Sequence, residues 1–132
     1  MEVFELENEH GLKLIFAKRA FDYKGWLQSY KVKLVGKDIE VSMDVENPPY
    51  GRSPYTLFEE MNRQWSGWHD IKSWSAMESE CSLSATHDAT GHITLTLEIE
   101  NRRQSWKAIA EFMIEAGRLS AVAAQAKSFF AG

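Results

Sequence analysis

His87, Asp88 and His92, with His69 and Asp70 upstream, are the residues whose types and spacing could do chemistry. Imidazole nitrogens and carboxylate oxygens are metal ligands, and they also pair as acid and base. Glu78 with His69, and Asp88 with His92, are the acid–base pairs to test first in an enzyme reading. A second group is aromatic. Trp65, Trp68 and Trp74 stand within ten residues, and Tyr50 and Tyr55 precede them. Such a set suits a local core, or an exposed anchor for a protein partner or planar ligand. A third group is acidic: Asp38, Glu40, Asp44 and Glu46 alternate with Ile39, Val41, Met43 and Val45. A strand here turns its carboxylates to one face, suited to a basic partner or to solvent.

The element that must position the first group is a β-hairpin from Glu80 to Glu100. Asp88-Ala89-Thr90-Gly91 carries Asp first and Gly fourth, as a type I turn requires, with Gly91 free to take positive φ. A three-residue loop then pairs His87 with Ile93, Ala85 with Leu95, Leu83 with Leu97 and Cys81 with Ile99. It sets Thr86, Ser84 and Ser82 against Thr94, Thr96 and Glu98 on the other face. A four-residue loop would mix the faces, so the pattern selects the shorter form. The same register sends His87 to the apolar side while Asp88 and His92 face each other on the polar side. His87 and His92 therefore do not share one ion unless the turn is irregular, and no metal site is expected; Asp88, His92 and His69 are the residual metal candidates. Asp88 is expected to accept the turn amides.

The remaining elements follow from periodicity. Val3–Leu6 and Leu12–Phe16 form a first hairpin about a turn at residues 8–11. Trp26, Tyr30, Val32 and Leu34 share one side of the next strand. Gly36-Lys37 is read as a type II′ connection to the acidic strand, which sets its carboxylates opposite Lys31 and Lys33. Pro48, Pro49 and Gly51 end that run. Ser53 as N-cap and Pro54 at the first helical position then start a helix with Leu57, Phe58, Met61 and Trp65 along its apolar stripe, closed by Gly67. Residues 106–115 alternate as a strand does, although their alanines also suit a helix. Leu119 to Phe130 recur at helical spacing. The fold class is α+β: an antiparallel sheet of six to eight strands with two helices packed on it, in the order ββββ-α-βββ-α, and a further strand near Ile71–Trp74 is open.

At 132 residues with 44% hydrophobic content the chain is one domain-sized unit, able to bury a core without disulfides or metal. No run approaches the roughly 18 apolar residues of a membrane span. The acidic, strand-like start lacks the basic and apolar stretches of a secretory signal, so a cytoplasmic location is expected. Cys81 lies on the apolar side of the hairpin as a small buried hydrophobe. A net charge of −4 argues against nucleic acid as partner. No cofactor is implied. Phosphate loop, nucleophile elbow and zinc-type Cys/His spacing are all missing from the sequence.

The run from Leu57 to Ile99 resembles a family of small bacterial proteins classed as a domain of unknown function. The likeness rests on W-x-G-W at Trp65, Gly67 and Trp68, then Trp74 and Glu78, then Asp88, Gly91 and His92, with Trp106 and Gly117–Leu119 beyond. It spans residues 55–130, and Met77 stands where leucine is usual. The resemblance supports the fold and implies no activity. Two functions are carried forward. The first is a non-catalytic binding protein of immunity or accessory type, monomer or homodimer, meeting a basic protein through Glu40 and Asp44 or through the tryptophan segment. The second is a small-molecule or enzymatic domain with a pocket lined by Trp68, Trp74 and Tyr50.

Overall fold

Alternating apolar and polar side chains build two antiparallel meanders, each followed by a helix. The computed structural model describes residues 2–49 and 51–131. Among these, β1 (Val3–Glu7), β2 (Lys13–Phe21), β3 (Leu27–Val35) and β4 (Glu40–Glu46) form one four-stranded sheet in sequence order. Then α1 (Tyr55–Arg63) leads to a second sheet of β5 (Lys72–Ser75), β6 (Cys81–His87), β7 (His92–Asn101) and β8 (Trp106–Glu115), and α2 (Leu119–Phe130) follows. The α+β class and antiparallel pairing stand as expected, with the optional strand present as β5. The strands divide into two sheets because Pro48 and Pro49 cannot donate to a ladder and α1 intervenes.

The β6–β7 register matches the sequence pattern pair for pair, from Cys81 with Ile99 to His87 with Ile93. Gly91 takes φ +85°, and the Asp88 N–H donates to the His92 carbonyl at 3.0 Å. Residues 106–115 are strand throughout. The cap of α1 falls on Pro54, one residue later than expected, and Ser53 sits just before it, its hydroxyl accepting from the Tyr55 N–H at 3.3 Å.

Three further local expectations change. The β3–β4 connection is Lys37-Asp38 and not Gly36-Lys37, since the Gly36 N–H donates to Ile39 and Val35 faces Glu40. This register brings Lys31 to Asp44, 3.4 Å apart. A Cβ at Gly36 would sit 2.9 Å from Leu12 Cδ1, the free end of a side chain that can turn aside. Trp26 leaves the β3 face and is 43% exposed, because the ladder slips between Ala17 and Ala20, where Lys18 takes φ 51°. Trp65 leaves the helical stripe because α1 ends at Arg63.

One continuous core joins the inner faces of both sheets to both helices. Its centre is aromatic. The Phe130 ring of α2 meets Phe4, Phe16 and Tyr30 at 6.1, 5.2 and 5.3 Å, all near edge-to-face, the arrangement favoured by ring quadrupoles. The C-terminal helix thereby fastens the first sheet. Among the described residues, no helix is long and apolar enough to cross a membrane.

Candidate functional site

The tip of the β6–β7 hairpin is a closed hydrogen-bonded turn. Asp88 Oδ1 accepts from the Thr90 N–H, the Thr90 hydroxyl and the His92 N–H at 2.8, 2.8 and 2.9 Å. The His92 amide, then the Thr90 hydroxyl, and more weakly the Thr90 amide and the His92 charge, hold this carboxyl down at about 2. Hydrogen bonds to a carboxylate favour its ionised form, which explains the direction. His92 Nδ1 lies 2.7 Å from Thr90 Oγ1 and 3.5 Å from Asp88 Oδ2. His87 turns away to the other side. Its ring nitrogens approach the carbonyl oxygens of Asp88 and Trp65 at 2.7 and 3.0 Å, and its ring meets Trp68 edge-on at 4.9 Å. Among the described residues, no group of three His, Cys, Asp or Glu side chains is placed to hold a metal ion.

The three tryptophans occupy different environments. Trp74 is 6% exposed and its indole N–H donates to the Arg52 carbonyl at 2.7 Å. Trp68 is half-buried, donates to the Ala85 carbonyl at 3.3 Å, and has the Lys72 ammonium 5.3 Å above its ring. That ammonium also pairs with Glu60 at 3.0 Å. Trp65 is 60% exposed. An open cleft of about 570 Å³ runs beside Trp68, lined also by Arg52, Glu60, His69, Asp70 and Lys72. Tyr55 is half-exposed; burial and its bond to Glu59 push its hydroxyl up, against a smaller lowering by Arg63. Tyr50 lies outside the described residues. Glu78 and His69, paired as a possible acid and base, line different clefts.

A larger cleft, of about 690 Å³, opens where β4 meets the β5–β6 and β7–β8 turns. It is lined by Asp44, Glu46, Glu78, Glu80 and Glu100 against Lys31, Arg102 and Arg103, with Ser42, Met43 and Asn101 between them. Lys31 is engaged by Asp44 and Arg102 by Glu100, each at 3.4 Å. Glu46, Glu78 and Glu80 make no ion pair among the described residues. Glu40 lies farther along β4, in a separate cleft with Lys18, Lys31 and Lys33. The acidic candidates thus split, with Asp44 in an acidic cleft and Glu40 among lysines.

The family of unknown function DUF6228 matches residues 5–132. The chain belongs to this family. The match takes in the strands before residue 50, which the tryptophan and hairpin motifs do not reach. No curated protein and no solved structure matches the chain.

In this DUF6228 protein, the carboxylates that the sequence does not bring together are Glu80 and Glu100. They lie twenty positions apart, and the hairpin makes them neighbours: the Glu100 N–H donates to the Glu80 carbonyl at 3.0 Å. The signal was available. Extending the Cys81–Ile99 register by one residue places two like charges opposite each other, an arrangement that destabilises a sheet unless something cationic offsets it.

Proposed function

We infer that this DUF6228 protein is a non-catalytic binding protein that receives a basic protein in the cleft between β4 and the turns of the second sheet. The observation that carries the reading is the charge of that cleft: five carboxylates against three basic groups, two of the latter already engaged. Clustered charge of one sign speeds encounter with an opposite partner and fixes orientation more than it adds raw affinity. On this reading the protein is of bacterial immunity or accessory type and meets its basic partner in the cytoplasm. A small-molecule or enzymatic pocket is the weaker reading, because Lys72 covers the Trp68 ring and Trp74 belongs to the core.

The test is affinity capture at low salt with wild type, the double variant Glu46→Lys/Glu78→Lys and the control Glu40→Lys. Wild type and the control are expected to retain a basic protein that high salt releases, and the double variant to lose it. Capture that ignores salt, or that survives in the double variant, contradicts the reading.

A further inference from the structure

The open edges of the two sheets are not alike. β5 has four residues and β1 five, while β4 carries exposed carboxylates at Glu40, Asp44 and Glu46 along its length. Short or charged edges resist pairing with another chain. β8 is the exception. It ends the second sheet, runs for ten residues without proline and keeps an unbroken register with β7. Its exposed side chains are Lys107, Ile109, Glu111, Met113 and Glu115. Ile109 and Met113 are 60% and 59% exposed, although the residues opposite them on β7, Glu98 and Thr94, are polar.

The backbone of the same residues faces outward. The Ala116 N–H donates to the Gly91 carbonyl at 2.9 Å, and alternation along an antiparallel ladder then assigns the even residues of β8 to β7 and the odd ones to the open edge. The Glu111 carbonyl agrees, since it accepts from the Asn8 side-chain amide at 3.2 Å. Towards its C-terminal end β8 faces β1 across a cleft of about 460 Å³, bordered by residues 5–7 and 112–115. The stretch open to another strand is therefore 106–111.

We propose that this stretch pairs with the same stretch of a second copy of the chain, antiparallel about a two-fold axis at Ile109. That register sets Lys107 of each copy opposite Glu111 of the other and Ile109 opposite Ile109, with Ala108 opposite Ala110 on the inner face. Opposite charges directly across a strand pair favour pairing, and like charges oppose it. Axes at Lys107 or Glu111 would set like charges against each other, and axes at Ala108 or Ala110 would set a charge against Ile109. One register alone makes the charge order along β8 its own complement. The Glu111 carbonyl has a second lone pair for the incoming Lys107 N–H beside Asn8. Each copy has one such edge, so the assembly closes at two. The pairing makes no use of the acidic cleft.

Sedimentation equilibrium of the intact chain, from about 1 μM to about 1 mM, tests the proposal. Wild type is expected to pass from monomer to dimer over that range. Lys107→Glu or Glu111→Lys alone should weaken the dimer by at least about tenfold, because each puts like charges at both crossings. The double variant Lys107→Glu/Glu111→Lys should recover it, and an equimolar mixture of the two single variants should form a mixed dimer. Lys107 also lies 3.8 Å from Glu98 of its own sheet; that pair is lost in Lys107→Glu and in the double variant alike, so recovery reads the crossing between copies. Both positions are exposed, and all the variants should melt close to wild type. A wild type that stays monomeric throughout overturns the proposal and leaves the edge to a strand from another protein. A dimer that ignores the single changes, or that the double variant fails to recover, also overturns it, by seating the second copy on another face or in another register.

Discussion

The indole N–H of Trp74 donates to the backbone carbonyl of Arg52 at 2.7 Å, tying β5 to the segment just before α1. This bond joins the two halves of the chain at the point where the first sheet ends and the second begins. Trp74→Phe keeps an aromatic ring, removes the donor and leaves a smaller side chain. It should cost at least about 1–2 kcal/mol, the usual effect of losing one partner of a largely buried hydrogen bond, with the lost volume adding to it. Chemical denaturation of the two proteins checks this, and an unchanged midpoint would show that the bond does not stabilise the junction.

The hairpin tip should make a contribution to stability that depends on pH. Asp88 is lowered from its ordinary 3.8 to about 2, because the folded turn donates hydrogen bonds to its ionised form. A depressed carboxyl favours the folded state above the unfolded pKa, so its contribution is complete above about pH 4 and fades as pH falls to about 2. Asp88→Asn keeps one acceptor and removes the charge. Melting temperatures of wild type and variant should differ at neutral pH and converge near pH 2. A gap that stays constant across that range would mean that the charge contributes nothing.

Cys81 should behave as part of the core. It is fully buried, and burial first, then Glu80, pushes its thiol up to about 12. A thiol reagent at mildly alkaline pH should leave the native protein unlabelled and modify it as fast as a free thiol once unfolded. Rapid labelling without loss of structure would point to an opening of β6.

Much of the frame was legible because apolar alternation is a local signal. The hairpin register followed from which residue types could share a face, and the strand at 106–115 followed from the same rule. Trp26 and Trp65 went astray for related reasons. A slipped ladder at Ala17–Ala20 and a helix ending at Arg63 each move a large apolar side chain off the face its spacing assigns. Gly36 was misread because glycine suggests a turn, whereas here it closes the β3 ladder by donating to the Ile39 carbonyl across the turn. The acidic cleft was legible only in part. Asp44 and Glu46 lie on one strand and the hairpin register pairs Glu80 with Glu100, but the two groups meet only where the two sheets come together, which no local pattern encodes.

The central claim is that the face for a basic partner is the cleft at β4 and not the tryptophan segment. Backbone amide NMR during titration with a short peptide rich in arginine and lysine tests it most directly. Shifts concentrated at Asp44, Glu46, Glu78, Glu80 and Glu100, and fading as salt is raised, are the predicted result. Shifts centred on Trp65 to Trp68, or none in the cleft, would contradict it.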